Sequence, residues 1–211
     1  MATLEGPTTA AGPLVLADIS GYSSFLQAVA HEHRNDAFAG GKVPHAYSVI
    51  SSLLDGIVQR LVPPFTLSKL EGDAVFVYAI DESAPRGQAL LDCVAACYAG
   101  FREQLGTARS VWPCECDACA RIDQLDLKFV LHAGTFVVQD IAGRSELVGP
   151  AVVIAHRLLK SGAAELVGSG AFALVTDEAS KLLEVPPEGG ARIVETYAPS
   201  PPVSGRAFAL R

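Results

Sequence analysis

The alternation of apolar and polar positions along the chain predicts helices and strands in turn. Short apolar runs favour buried strands, and apolar residues three and four positions apart favour amphipathic helices. The predicted helices cover residues 21–33, 46–61, 87–105 and 149–160, with a short one at DEASKLL. The predicted strands are PLVLADI, FTLSKLE, AVFVYAI, AFALVT, ARIVETYA and LDLKFVLHAGTFVVQDI, the last interpreted as two strands that turn at Gly134. The order β-α-α-β-β-α-β-β-α-β-α-β predicts a mixed sheet with helices on it.

The same pattern predicts one domain between two polar ends. We expect a flexible N-terminal tail over residues 1–12, the domain over residues 13–198, and a Pro-rich C-terminal tail over residues 199–211. Within the domain, residues 106–124 read as a polar loop that bears cysteines. A chain of 211 residues is long enough for such a domain to bury a sizeable core.

Composition and charge argue against several classes of protein. Apolar residues make up 50% of the chain and charged residues 18%, which argues against disorder. The net charge of −7 argues against nucleic-acid binding, which needs clustered Lys and Arg. No apolar run reaches the roughly 20 residues of a membrane span, and the N-terminus lacks the pattern of a signal peptide. We therefore expect a cytoplasmic protein with no membrane partner, whose cysteines are reduced.

The segment SKLEGDAVFVYA carries charged residues into what otherwise reads as a buried hairpin. Gly72 and Asp73 tolerate positive φ and predict a tight turn, with Val, Phe and Tyr at the strand positions that follow. An aspartate in such a turn has a purely structural interpretation. Lys69 and Glu71, just before the turn, leave open whether the hairpin also carries chemistry.

Three separated segments resemble the catalytic domains of class III nucleotidyl cyclases. They are LVLADISGYSSFL, LSKLEGDAVFVYA and VLHAGTFVVQDIAGRSELVGPAVVIAHRLLKSG, in the order and spacing of that superfamily. PPFTLSKLEGDAVF and VGPAVVIAHRLLK resemble more closely an uncharacterised bacterial branch of it, a domain of unknown function. The resemblance spans about residues 14–197. It implies an α+β fold with a ferredoxin-like βαββαβ core, in which helices pack on a mixed or antiparallel sheet.

The resemblance implies a two-metal site for Mg²⁺ or Mn²⁺ at Asp18 and Asp73. Two converging carboxylates repel unless a cation separates them, and hard oxygen ligands suit these ions. The superfamily adds the backbone carbonyl of Ile19 as a ligand. The helix that follows opens with N–H groups free to bind phosphate, at Ser20, Gly21, Tyr22 and Ser23. The alternative for Asp18 is a helix N-cap.

The resemblance also implies residues that bind the nucleotide. Lys69 matches the residue that reads the adenine ring in adenylyl members, and Glu146 stands where those members have Asp. Arg157 matches a helix Arg that stabilises charge developing on the phosphate. The alternative for Lys69 and Glu146 is a solvated salt bridge that contributes little.

Departures from the superfamily pattern bear on activity. Val153 stands where the superfamily has an Asn that orients the ribose, and valine cannot make that hydrogen bond. The C-terminal Lys that grips the triphosphate has no clear match, and Arg206 is the one candidate we name. We interpret His156, beside Arg157, as a packed core residue, and His132 of the His-x-Gly strand as structural.

The cysteine-bearing segment WPCECDACARID is a second candidate site. Cys114, Cys116 and Cys119 have a spacing that suits a Zn²⁺ ion, which normally takes a fourth ligand. Cys93 or Cys97 on the preceding helix, or a residue of a partner subunit, could supply that ligand. Two alternatives stay open, a redox-active Cys-x-x-Cys pair and reduced thiols without a function.

Taken with the metal and base positions, the resemblance implies a nucleotidyl cyclase that converts ATP to 3′,5′-cyclic AMP and releases pyrophosphate. The alternative is a catalytically degenerate homology domain that binds nucleotide or acts as a regulatory or interaction module. Superfamily members pair head to tail, so we expect a C₂ homodimer with shared sites. One subunit would supply Asp18 and Asp73, and its partner Lys69, Glu146 and Arg157.

Overall fold

The structure, a computed structural model, describes residues 6–35, 40–80, 84–186 and 188–211. Within these ranges, eight strands form one sheet. They are β1 (Thr8–Ser20), β2 (Thr66–Glu71), β3 (Ala74–Tyr78), β4 (Asp126–Ile141), β5 (Arg144–Val148), β6 (Phe172–Thr176), β7 (Ala191–Glu195) and β8 (Val203–Ala209).

The described ranges also contain seven α-helices, which cover the sheet. They are α1 (Tyr22–Glu32), α2 (His45–Leu61), α3 (Gly87–Ser110), α4 (Asp117–Ala120), α5 (Pro150–Leu158), α6 (Ala163–Val167) and α7 (Asp177–Leu182). A 3-10 helix (Arg121–Gln124) joins α4 to β4. Across the part of the chain that the structure describes, no helix combines the length and apolar character needed to cross a membrane.

The strands lie in the order β2-β3-β1-β4-β6-β8-β7, and β5 pairs with the far end of β4. The pairing of β4 with β6 is parallel, and the other pairings are antiparallel. The predicted α+β fold with a mixed sheet is therefore confirmed. The hairpin turn predicted at Gly72 and Asp73 also forms, because Glu71 and Ala74 on either side of it are paired.

The predicted turn at Gly134 is wrong. The segment is the single 16-residue strand β4, and Gly134 lies opposite Gly12 inside the ladder of β4 with β1. A Cβ atom added to Gly134 would lie 2.8 Å from the Cβ atom of Ala151 in α5, closer than two such atoms normally approach. This glycine therefore lets α5 pack closely on the sheet. A glycine that serves this purpose inside a strand cannot be distinguished, in the sequence, from a glycine that marks a turn.

Both predicted tails contain paired strand residues. Thr8, at the start of β1, lies opposite Val138 of β4, and β8 pairs with both β6 and β7. The predictions of tails over residues 1–12 and 199–211 are therefore wrong for the parts that belong to β1 and β8. These parts are rich in Ala and Gly, and pairing with neighbouring strands outweighs the weak strand preference of these residues.

The sheet buries an apolar layer on each face. Val15 and Ala17 of β1 belong to the layer under α1, α2 and α3, whereas Leu14 and Leu16 belong to the layer under α5. A strand covered on both faces reads as a continuous apolar run, which explains why β1 could be predicted. By the same alternation, Asp18 lies on the α5 face of the sheet.

The close contact of α5 with β4 predicts the effect of a single methyl group. Gly134→Ala is expected to lower the free energy of unfolding by about 1–3 kcal/mol, since overpacking a well-packed region costs this much. Gly106→Ala, on α3, meets no atom within 4 Å and is the control. It should raise the free energy of unfolding by up to about 1 kcal/mol, because Ala is the better helix former. Urea unfolding followed by circular dichroism measures both, and equal stability of Gly134→Ala and the wild type would contradict the close packing.

Candidate functional site

Two carboxylates meet where β1 ends and the β2–β3 hairpin turns. Asp18 lies opposite Ala74 in the β1–β3 ladder, and the N–H of Ile19 donates to the carbonyl oxygen of Asp73 (N···O 3.1 Å). The pKa of the Asp73 carboxyl is raised, first by burial and then by the charge of Asp18. The fold thus brings the two residues of the predicted metal site together.

Lys128 balances the charge of this pair, and sequence reasoning missed it. Its Nζ lies 2.8 Å from Oδ2 of Asp18 and also donates to the carbonyl oxygen of Leu159 (3.2 Å). It stands directly opposite Asp18 in the β1–β4 ladder and acts to lower the pKa of Asp73. A lysine inside the apolar strand LDLKFVLH was the available signal.

The segment between β1 and α1 gives helix α1 a glycine cap. Gly21, at φ 84°, is the N-cap residue, and no side chain caps the helix. The interpretation of Asp18 as a helix N-cap is therefore wrong. The hydroxyl of Ser20 donates to the carbonyl oxygen of Gly170 (3.2 Å), and burial, followed by the charge of Asp73, raises the pKa of Tyr22. The first turn of α1 therefore lies beside the carboxylate pair.

The predicted base-reading residues contact each other within one chain. Nζ of Lys69 donates to Oε2 of Glu146 at 2.8 Å and lies 3.3 Å from Oε1 of Glu71. The hydrogen bond to Glu146 is the main cause of the raised pKa of Lys69. A β-bulge at Ser68 shifts the register of β2, so that Lys69 lies opposite Phe76 on the α5 face. All three charged side chains are about one-third exposed, so a ligand can reach them.

His156 extends this charged group, and its interpretation as a packed core residue is wrong. Its Nε2 lies 2.6 Å from Oε2 of Glu71, and its Nδ1 lies 2.8 Å from the carbonyl oxygen of Val152. The ring packs edge-on against Phe76 (5.1 Å between centroids), and about a third of the side chain is exposed. Glu71 and His156 are 85 positions apart, so no local pattern in the sequence pointed to their contact.

Helix α5 presents Val153 and Arg157 one turn apart on an exposed face. Val153 is 49% exposed, and the guanidinium carbon of Arg157 lies 5.7 Å from the ring centroid of Tyr197. Burial, with the charge of Glu195, raises the pKa of Tyr197 to about 12, and its hydroxyl donates to the carbonyl oxygen of Arg157 (3.2 Å). In the described residues Arg157 forms no ion pair, so its charge is open to an external anion.

Two further candidates have structural contacts. Arg206 donates to the carbonyl oxygens of Gly189 and Gly190 (3.0 and 3.3 Å), before β7. His132 is 4% exposed, and its Nδ1 lies 3.0 Å from the hydroxyl of Thr176, the N-cap residue of α7. Burial lowers the pKa of this histidine. These contacts agree with a structural part for His132.

The cysteine segment forms a compact cluster with a histidine. His33, Cys114, Cys116 and Cys119 each offer one ligand atom, and these atoms all lie within 4.8 Å of one another. His33, at the C-cap of α1, is about 80 positions away from the cysteines. Sequence reasoning missed it, although the segment HEHRND at the end of a predicted helix contains two histidines.

Of the fourth ligands considered from the sequence, Cys93 and Cys97 are wrong for this cluster, because His33 takes that place. The thiol of Cys93 donates to the carbonyl oxygen of Arg60 (3.8 Å). Burial raises the pKa of Cys97 to about 12, and neither residue belongs to the group of four. Within the cluster, burial opposes ionisation of Cys116, but hydrogen bonds from the Cys119 N–H, the neighbouring thiols and His33 lower its pKa overall.

Comparison with known proteins identifies a family. A family model described as a protein of unknown function, DUF2652, matches residues 50–165, more than half of the chain. The uncharacterized protein Rv2561/Rv2562 of Mycobacterium tuberculosis (strain ATCC 25618 / H37Rv) is 31% identical over 115 residues. That alignment covers 53% of this chain and 51% of the relative, so the chain spans about half the length of the curated relative it matches.

Solved structures of class III cyclases are similar over most of the chain. The adenylyl cyclase CyaB from Pseudomonas aeruginosa matches with a TM-score of 0.66 and 15% identity over 98% of each chain. The guanylyl cyclase Cya2 matches with 0.64 and 12% over 98% of this chain and 96% of its own. A class III adenylyl cyclase-like ATP-binding protein from Pseudomonas aeruginosa matches with 0.59 and 13% over 87% and 37%. At these identities the likeness shows the fold, and it confirms the predicted class III cyclase homology fold.

The buried His132 predicts a pH-dependent share of stability. The pKa of His132 is lowered from 6.5 in the folded chain. Below about pH 6.5, His132 therefore binds a proton in the unfolded chain but not in the folded chain. This residue therefore leaves stability unchanged above about pH 6.5 and lowers it as the pH falls further, by at most about 1.4 kcal/mol per pH unit. His132→Gln should show a smaller fall in the urea midpoint between about pH 7.5 and pH 5.5. His31→Gln, at an exposed position of α1, is the control, and an unchanged fall in His132→Gln would contradict the prediction.

Proposed function

Because the chain belongs to the DUF2652 family of proteins of unknown function and has the class III cyclase fold, we propose that it is a divalent-metal-dependent nucleotidyl cyclase. The proposed reaction converts ATP to 3′,5′-cyclic AMP and releases pyrophosphate. The observation that carries this proposal is that the β2–β3 hairpin supplies residues both to the carboxylate pair and to the predicted base-reading pair. Asp73 at its turn interacts with Asp18, and Lys69 on its first strand contacts Glu146.

Asp18 and Asp73 are proposed to hold Mg²⁺ or Mn²⁺. Their mutual repulsion, which adds to the raised pKa of Asp73, supports this assignment, because a divalent cation would relieve it. Lys128 would release Asp18 as an ion binds, so it serves as the counter-charge of the free protein. Ions bound there would supply the Lewis acidity that activates the ribose 3′-hydroxyl and neutralises the triphosphate.

Lys69 and Glu146 are proposed to recognise the base. A carboxylate accepts a hydrogen bond from the exocyclic amine of adenine, and an ammonium donates to a ring nitrogen. Guanine carries a carbonyl oxygen where adenine carries the amine, and the charge of Glu146 would repel it. The 2.8 Å contact between the two side chains supports the proposal, because it holds both beside each other before a nucleotide arrives.

Arg157 is proposed to stabilise charge on the phosphates of a nucleotide bound mainly by a partner subunit. Its exposed guanidinium and the lack of an ion pair in the described residues support this assignment. A C₂ homodimer would then form two equivalent sites. In each, Asp18 and Asp73 would face the Lys69, Glu146 and Arg157 of the other chain.

A second candidate function is nucleotide binding without turnover. The observation that favours it is Val153, an exposed apolar side chain one turn before Arg157, where the ribose needs a hydrogen-bonding partner. A nucleotide could still bind through Lys69, Glu146 and the carboxylate pair. One structure with this fold is described as an adenylyl cyclase-like ATP-binding protein, which agrees with such a role.

The metal assignment predicts a loss of nucleotide binding in a single variant. Asp73→Asn should weaken the Mn²⁺-dependent binding of a non-cyclising ATP analogue by at least about tenfold, because even supporting residues of metal sites carry that much. Asp92→Asn, which alters an exposed carboxylate on α3, should bind like the wild type. Isothermal titration calorimetry with and without Mn²⁺ measures this. Equal Mn²⁺-dependent affinity of Asp73→Asn and the wild type would refute the assignment.

The reaction itself is tested with each nucleoside triphosphate and Mn²⁺, followed by chromatography for 3′,5′-cyclic products. Cyclic AMP as the main product, lost in Asp73→Asn and kept in Asp92→Asn, is the expected result. Metal-dependent binding without any cyclic product would instead support the second candidate function. A cyclic product made equally by wild type and Asp73→Asn would contradict the proposed mechanism.

The shared-site dimer predicts complementation between two inactive variants. Asp73→Asn and Arg157→Ala should each be inactive alone. Mixed in equal amounts with free exchange of subunits, they should regain about a quarter of the wild-type sites, since half the dimers are mixed and each mixed dimer has one intact site. Activity assays of the mixture, with sedimentation to establish the dimer, measure this. An active but strictly monomeric protein would rule out shared sites.

A further inference from the structure

We propose that His33, Cys114, Cys116 and Cys119 form a structural zinc site that fastens the end of helix α1 to the segment before β4. Nothing in the proposed nucleotide chemistry requires this site, and it lies on the opposite face of the sheet. The cysteines pack against the apolar layer under α1, α2 and α3, whereas Asp18 and Lys69 lie on the α5 face.

The distances in the cluster fit one ion at its centre. Nε2 of His33 lies 3.3 Å from Sγ of Cys116, 3.3 Å from Sγ of Cys119 and 3.7 Å from Sγ of Cys114. Typical Zn–S and Zn–N bonds in a tetrahedron separate a sulfur from a nitrogen ligand by about 3.6 Å. The cysteines are free thiols, so no disulfide competes for the sulfur atoms. One histidine nitrogen within reach of three thiols is therefore the arrangement of a four-ligand metal site.

The ligand types favour zinc and a structural role. Thiolates with an imidazole in a tetrahedral arrangement suit Zn²⁺, whereas Mg²⁺ and Ca²⁺ prefer oxygen ligands. Four protein ligands fill the coordination sphere and leave no open position for a substrate. The redox alternative needs accessible thiols in an electropositive environment. In its Cys-x-x-Cys pair Cys116 is half-buried, but Cys119 is 2% exposed and the segment carries the acidic Glu115 and Asp117.

Trp112 gives independent support. Its indole nitrogen is buried and has no hydrogen-bond partner in the described part of the chain. Trp112 packs with Cys114 and Cys116 against the apolar layer that contains Cys119, so the indole lies in the same packed region as the cluster. A metal-bound thiolate accepts hydrogen bonds from such neighbouring donors, and this would satisfy the indole N–H.

A zinc ion here would join two segments that both lead to the carboxylate pair. His33 is the C-cap residue of α1, an 11-residue helix that begins at Tyr22, shortly after Asp18. The two ends of this helix lie about 16 Å apart along its axis. Cys119 precedes the 3-10 helix and β4, where Lys128 stands opposite Asp18. Each of these two segments would then be held by the sheet at the end near the carboxylate pair and by the zinc ion at its other end.

Metal analysis of the full chain tests the site. Protein purified without chelator and then supplied with zinc is expected to retain about one equivalent per chain after gel filtration. His33→Gln and Cys116→Ser should lower the zinc affinity at least about tenfold. His31→Gln, an exposed histidine on the same helix, and Cys93→Ser, a thiol outside the cluster, are matched controls that should retain full zinc.

A second measurement uses the unmodified chain, so that it does not depend on how the variants fold. Metal-stripped protein titrated with Co²⁺ should develop the visible absorption of a tetrahedral site and the charge-transfer band of thiolate ligands. Hydrogen exchange of the amides of α1 should slow when zinc is added, because metal binding at its C-cap contributes folding free energy.

Several outcomes would overturn the proposal. These are zinc retention below about a tenth of an equivalent in the wild type, equal zinc affinity in His33→Gln and His31→Gln, and an octahedral Co²⁺ spectrum without a thiolate band. Unchanged exchange in α1 on zinc binding would overturn the fastening role. A disulfide among the three cysteines in protein kept free of air would support the redox alternative instead.

Discussion

The pairing of β1 with β4 is the constraint on which the rest of the structure depends. Each of the 13 residues of β1 has a partner on β4, and β1 is covered by apolar layers on both faces. This ladder sets Asp18 opposite Lys128, and pairing with β3 brings the turn with Asp73 beside it. A slip of one residue would move Asp18 to the other face and separate the two carboxylates.

Asp18, Lys69 and Glu146 on the α5 face already have partners of opposite charge within the chain. Asp18 pairs with Lys128, while Lys69 lies between Glu71 and Glu146. A ligand that binds these side chains therefore has to displace their present ion-pair partners. Until a ligand binds, these partners hold the side chains in place. The pairs of Lys69 are about one-third exposed, and such pairs contribute little to stability, so exchange there should need little free energy. The pair of Asp18 with Lys128 is more buried.

The two candidate sites lie on opposite faces of one sheet. The cysteine cluster packs under the layer of α1, α2 and α3, and the carboxylate pair lies on the α5 face. Helix α1 leads from one site to the other, and so does the 3-10 helix together with the first residues of β4. The connection depends on backbone continuity and on the packing of Phe25 and Val29 in the first layer, so it needs no chain of polar contacts.

The sequence by itself determined the features that depend on neighbouring residues. Apolar periodicity predicted the main helices, Gly72–Asp73 predicted the hairpin turn, and the three motifs predicted the fold. Only the tertiary structure decided that His33 joins the cysteines, that Gly134 lies inside one long strand, and that Glu71 contacts His156. These features join residues far apart in the chain or depend on a neighbouring element, as Gly134 does on α5. Their cause is packing across the sheet, which local periodicity does not record.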